Sequence, residues 1–182
     1  MIVSLRGTNG SGKSTVVREI LARFSGEPRY DKGKVVEYFI PRLSHRGLVV
    51  IGPYLTACGG CDAIKTVDEV IQRVEHATRY GHDVLFEGIL ISTTYGAVGA
   101  FSEAYPDFVF AYMSTPVEEC LRRVEERRAA AGNLKPFNPA GLRQKFETIA
   151  RQRSKLLAAG RRVTDIVDFR DVLRLFDADI LL

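Results

Sequence analysis

Near the start of the chain, Gly7-Thr8-Asn9-Gly10-Ser11-Gly12-Lys13-Ser14 fits the spacing G-x-x-x-x-G-K-[ST]. Glycines so placed let successive backbone N–H groups turn inward around phosphate oxygens, and a helix beginning at the lysine adds positive potential there. Lys13 would reach the outer phosphates, and the Ser14 hydroxyl would ligate Mg²⁺. Gly7, Thr8, Asn9, Gly10, Ser11, Gly12, Lys13, Ser14 and Thr15 are therefore assigned to a nucleotide, with ATP and Mg²⁺ expected. The second chemical group is Glu87, which ends the apolar run Asp83-Val84-Leu85-Phe86-Glu87 where a carboxylate can orient the metal or its water. Ser14 and Glu87 form the expected metal pair. Asp83, at the other end of that run, reads as structural.

Four arginines, Arg122, Arg123, Arg127 and Arg128, crowd one stretch. Glu118 precedes Arg122 by four residues and Glu119 precedes Arg123 by four, the spacing of ordinary surface ion pairs. Arg127 has no acid three or four positions upstream and shares a face with Arg123. Those two are the candidates to clamp a transferring phosphoryl group. Arg151, Arg153 and Lys155 form a later basic group that faces either phosphates or water. Asp62 follows the tight turn Cys58-Gly59-Gly60-Cys61 and is a candidate for acceptor activation or binding, the alternative being a helix or turn cap. Cys58 and Cys61 supply only half of a four-ligand zinc site. His45, His76 and His82 show no ligand spacing and read as surface residues; Tyr54 and Tyr95 would either stack on an acceptor base or simply pack.

These groups need elements to hold them. Ile2 to Leu5 reads as a strand buried on both faces, followed by the glycine loop and a helix with Val16, Val17, Ile20, Leu21 and Phe24 inward, stopped by Gly26 and Pro28. Val35 to Ile40 and Leu48 to Ile51 read as strands joined as a hairpin or an excursion. Thr66 and Glu69 form a capping box for a helix that ends by Gly81. Val84 to Phe86 and Phe108 to Ala111 are buried strands, separated by one helix from about Thr93 to Pro106. Pro116 sits at a first helical position. A long helix carrying Leu142, Phe146, Ile149 and Leu156 ends at Gly160, followed by a strand at Val163 to Val167 and a short helix. This alternation predicts an α/β fold, a mostly parallel sheet with helices on both faces.

Bulk properties agree. The 182 residues suit one domain, with a lid around 122–138. A net charge of +4 and a pI near 9.0 suit a protein that handles polyanions, without separating nucleotides from nucleic acid. Three cysteines and no export signal predict reduced thiols, a cytoplasmic setting (the host cytoplasm if viral) and no membrane partner. Oligomeric state is left open.

On these residues the chain resembles the P-loop nucleoside and nucleotide kinases. Asp83 to Leu90 is similar to the strand and "EGIL" turn of uridine kinases, and Phe110 to Arg123 to the lid-helix entry of thymidylate, deoxynucleoside and uridine kinases. The resemblance implies transfer of a phosphoryl group from ATP to a nucleoside or deoxynucleoside monophosphate, and places Arg161 and Arg162 near the nucleotide base. Two departures stand out: the second strand runs into Pro41-Arg42 rather than an acid, and Glu87-Gly88 replaces the usual aspartate-arginine pair of thymidylate kinases. Leu5 to Ser14 and the CGGC turn also resemble phage P-loop kinases, including those that phosphorylate 5-hydroxymethyluracil within DNA, which gives DNA as the alternative acceptor. A nucleotide switch without phosphoryl acceptor is the second alternative; the N-K-x-D segment of guanine-reading switches is absent.

Overall fold

The structure is a computed structural model that describes residues 1–41, 46–56, 59–133 and 135–176. Its strands are β1 (Ile2–Arg6), β2 (Glu27–Asp31), β3 (Lys34–Ile40), β4 (Leu48–Ile51), β5 (Asp83–Glu87), β6 (Phe108–Met113) and β7 (Val163–Ile166). The helices are α1 (Lys13–Arg23), α2 (Val67–Arg79), α3 (Ile89–Thr93), α4 (Gly96–Ser102), α5 (Val117–Ala130), α6 (Pro139–Ala158) and α7 (Phe169–Leu175). One sheet in the order β2-β3-β4-β5-β1-β6-β7 joins them. The five strands from β4 to β7 in that order are parallel, and β2 and β3 add an antiparallel edge.

Alternation along β1 divides the interior. Val3 and Leu5 pack toward α1 and α7, while Ile2 shares the opposite cluster with α2 and with Ile149 and Leu156 of α6. Both faces of the central strands are covered, so they read as continuous apolar runs. The C-terminal ends of the parallel strands therefore lie along one edge, and every loop leaving that edge can reach a common site.

Several expectations are corrected. α1 stops at Arg23, and Pro28 lies inside β2. That strand has no apolar signature because all five of its residues are exposed. It forms because Lys32 and Gly33 both take positive φ (48° and 76°), which a two-residue hairpin turn requires. Pro28 is tolerated there because an edge strand leaves N–H groups unpaired. The single helix expected from Thr93 is two short ones, the first beginning at Ile89. Asp62 Oδ1 accepts from the backbone N–H of Ile89 at 2.7 Å, and Thr94 Oγ1 donates back to the Leu90 carbonyl at 2.8 Å, so this short helix is closed at both ends. Thr66 does cap α2 through the Glu69 N–H, but the Glu69 carboxylate goes to Arg73 rather than completing a box. The full capping box is Asp168 with Asp171 on α7. Pro116 is the N-cap of α5, one residue before the first helical position. No helix among the described residues is long and apolar enough to cross a membrane.

Candidate active site

β1 delivers the glycine loop to the C-terminal edge of the sheet. Gly10 takes φ 81° where a Cβ would meet the Cys120 backbone carbonyl, so the loop lies flat on the first turns of α5 only with glycine there. Gly12, at φ 99°, is the left-handed N-cap of α1 and leaves the first N–H groups of that helix facing the loop's interior. Thr115 Oγ1 donates to the Ser11 carbonyl at 2.8 Å, and the Gly7 N–H donates to Ser92 Oγ at 3.2 Å. Neither Ser92 nor Thr115 was legible in the sequence, because each acts on a loop about a hundred residues away in the chain.

Lys13 is buried and its Nζ donates to the Gly7 and Thr8 carbonyls at 2.8 and 3.1 Å. Burial lowers its pKa, opposed by the charge of Glu87. Around it Thr8 Oγ1, Asn9 Oδ1 and Ser11 Oγ are buried without a hydrogen-bond partner. Buried polar atoms are normally satisfied, and a cluster of unpaired ones within a loop of inward N–H groups fits a ligand rich in oxygen.

Ser14 Oγ donates to Glu87 Oε1 at 2.7 Å, joining α1 to the end of β5. Glu87 is 1% exposed, and burial raises its pKa against the opposing effects of Lys13 and the Ser14 hydrogen bond. A hydroxyl and a carboxylate in contact are an oxygen donor set of the kind Mg²⁺ takes. Both glycines of the tight turn are required by close approach: a Cβ on Gly60, at φ 79°, would run into the Glu87 carboxylate, and one on Gly59 into the Pro53 carbonyl and Tyr54. Asp62 follows it, with Oδ1 committed to the α3 N-terminus as described, and the residue also lines the cavity beside Glu87.

The cavity encloses about 810 Å³, within the usual range for small-molecule sites. Thr8 to Val16 form its floor; Gly59, Asp62, Glu87 and Ile89 stand on one side, with Arg123 and Arg127 on another. The structure thus brings together every expected site residue except Gly7, which does not line the cavity but accepts from Lys13 through its carbonyl. Arg123 Nε is held by Glu119 at 2.6 Å, whereas Arg127 has no acid partner among the described residues. Arg122 is not paired with Glu118 as its spacing suggested. It binds Glu119 and Glu126, and Glu118 instead receives both Nη atoms of Arg143 on α6 at 2.6 and 2.9 Å. The hydrogen bonds from Arg122 and Arg123 lower the Glu119 pKa to about 2.

Other candidates fall elsewhere. Arg161 and Arg162 precede β7 and lie at the opposite edge of the sheet, where Arg161 pairs with Glu103; Val167, Asp168 and Phe169, which follow β7, line the cavity instead. Tyr54 is buried in the core beside Tyr38, at 6.1 Å between ring centroids, with its hydroxyl unpaired. His76 is exposed against Tyr80, and His82 is half-buried against Phe39. Cys58 and His45 lie outside the described residues. Cys61 is a buried free thiol that donates to the Ile51 carbonyl at 3.8 Å, and no group of three metal-ligating residues occurs among the described residues. Arg6, which ends the first apolar run, carries no sequence signal of its role. It is fully buried, with Nε on Ser4 Oγ at 3.2 Å and Nη1 on the Thr94 carbonyl at 3.4 Å, so it ties the end of β1 to the α3–α4 connection.

A family profile described as 5-hmdU DNA kinase matches residues 1–160. The chain belongs to the 5-hmdU DNA kinase family. Among curated relatives, the 5-hmdU DNA kinase of Pseudomonas phage PaMx11 is 34% identical, with 90% of this chain and 89% of the relative covered. That of Pseudomonas phage M6 is 35% identical over the same shares. A deoxyadenosine kinase from M. mycoides with bound dATP aligns over the whole of both chains at 14% identity and a TM-score of 0.43. Family membership makes the protein an enzyme, a nucleotide-binding kinase of a phage DNA-modification family, and the site described above is where its phosphate-binding loop lies.

Proposed function

We propose that this kinase transfers the γ-phosphoryl group of ATP to the hydroxymethyl oxygen of 5-hydroxymethyl-deoxyuridine in DNA. The relatives are named for that acceptor, so DNA replaces the nucleoside monophosphate acceptor that led the reading of the sequence. The observation that carries the donor chemistry is the 2.7 Å contact of Ser14 with Glu87 beneath the glycine loop, in one cavity with Asp62, Arg123 and Arg127.

In this reading the loop N–H groups and Lys13 bind the donor phosphates, Lys13 leaving its two carbonyl partners to do so. Ser14 and Glu87 would hold Mg²⁺, which would supply charge neutralisation on the donor phosphates. The acceptor oxygen forms a bond to the γ phosphorus, the bond from that phosphorus to the bridging oxygen breaks, and ADP leaves with the electron pair. The hydroxyl proton passes to a carboxylate, a role given to Asp62 at the cavity wall. Arg127, free of an acid partner among the described residues, and Arg123, tethered by Glu119, spread positive charge over the moving group. Most of the acceleration then comes from positioning and charge.

The test uses labelled ATP with DNA containing either 5-hydroxymethyluracil or thymine, and with the free nucleoside and monophosphate, with Lys13→Ala as control. Label on the modified DNA alone, dependent on Lys13, is expected. Label on free nucleotides and none on DNA overturns the acceptor assignment.

A further inference from the structure

The four positive charges by which the whole chain exceeds neutrality are matched within one helix. α6 carries five basic residues against one acid, whereas α5 carries four of each. Two of the α6 cations are consumed: Arg143 by Glu118 and Arg153 by Asp165. Arg151 and Lys155 are exposed and have no acid partner among the described residues; Arg151 Nη2 reaches only Thr148 Oγ1 at 3.0 Å.

Helical spacing sorts these groups. Leu142, Ile149 and Leu156 face the core, while Gln144, Thr148, Arg151 and Lys155 fall at intervals of four, three and four on a separate solvent stripe. That stripe runs beside the end of α3 and the α3–α4 connection. Lys155 Nζ lies 5.8 Å from the centroid of Tyr95 in the α3–α4 connection, and Gln152 Nε2 donates to the Thr93 carbonyl at 3.5 Å. Because α6 runs back from the lid toward the start of β7, the part of it before Gln152 stands at the catalytic edge beside α3. Cations without acid partners, an exposed amide at Gln144 and a half-exposed aromatic ring along one face are what a single nucleic-acid strand binds.

We infer that the Gln144–Lys155 face of α6, together with Tyr95, is the track for the DNA strand that presents the acceptor, with Arg151 and Lys155 contacting backbone phosphates on one side of the target nucleotide. The two residues are about 6 Å apart along the helix axis, of the order of one internucleotide step. The inference rests on the DNA acceptor proposed above. It gives the excess charge a function that the donor site does not need.

The test is Arg151→Ala/Lys155→Ala, measured by fluorescence anisotropy on a single-stranded oligonucleotide containing 5-hydroxymethyluracil across a salt series. On a single strand each lost phosphate contact removes a factor that varies as the salt concentration to a power of about 0.7, so the Kd should rise about 25-fold at ~0.1 M salt and the log–log slope should flatten by about 1.4. Arg151→Ala alone should cost about 5-fold by the same rule. ATP affinity and Tm should stay at the wild-type values. Arg23→Ala/Arg174→Ala removes the same charge from the opposite face of the sheet, on α1 and α7, and should leave the salt slope unchanged. A double variant on α6 that keeps the wild-type Kd and slope, while the wild type phosphorylates the DNA, overturns this track and leaves the proposed reaction standing. A wild type that labels only free nucleotides overturns the reaction first, and the track with it.

Discussion

Glu87→Gln should cripple catalysis while leaving the fold as stable or more so at neutral pH. The amide keeps the shape and still accepts a hydrogen bond from Ser14, so the 2.7 Å contact survives without its charge. The carboxylate it replaces is 1% exposed and has a raised pKa because burial outweighs Lys13 and Ser14. The raised value fixes the sign. Below the unfolded pKa the acid is protonated in both states and costs nothing. As pH rises from the unfolded value to the folded one, the native state binds more protons, so wild-type stability falls by about 1.4 kcal/mol for each pH unit of that interval and stays lower above it. The glutamine variant lacks that loss, so its Tm advantage should grow between acid and neutral pH. Turnover should fall by about 10²- to 10³-fold and require more Mg²⁺, as expected when one preorganised charge is removed. Thermal melts at several pH values and a kinase assay over a Mg²⁺ series measure both sides. A variant less stable than wild type at pH 7, or one with turnover within about tenfold of wild type, would refute a carboxylate held buried for function.

Asp62→Asn retains an oxygen for the Ile89 N–H and should leave Tm nearly unchanged while lowering kcat. Asp62→Ala should lose the cap as well, at about 1 kcal/mol in denaturant unfolding. Arg127→Ala should slow phosphoryl transfer by about 10²-fold with little change in Tm, whereas Arg122→Ala, which breaks only exposed pairs with Glu119 and Glu126, should stay within about twofold in steady-state kinetics. Gly10→Ala forces a Cβ toward the Cys120 carbonyl at φ 81° and should cost about 2 kcal/mol or more in stability, along with most ATP affinity by calorimetry.

The nucleotide chemistry was legible because it is local. From Gly7 to Ser14 the loop's function depends on backbone freedom and on side chains a few positions apart, and Glu87 could be found because an acid ending a buried strand must stand at the sheet's edge. The parallel core was legible for a similar reason: strands buried on both faces cannot hide their apolar runs. Elements held by anything other than burial were not. β2 has five exposed residues and is specified by its hairpin turn and its pairing with β3, and α3 begins at Ile89 because a carboxylate from 27 positions earlier caps it. Charges behaved likewise. Spacing offered Glu118 to Arg122, but solvent-exposed ion pairs are worth so little that the bidentate geometry available from Arg143 on a neighbouring helix decided the partner. The sequence by itself determined the glycine loop at the end of β1 and the acid that ends β5. Only the tertiary structure decided that Ser14 meets Glu87 across 73 positions, that Val167 to Phe169 rather than Arg161 and Arg162 reach the cleft, and that Lys155 of α6 stands beside Tyr95, because strand order and helix direction are set by packing between segments that no local pattern records.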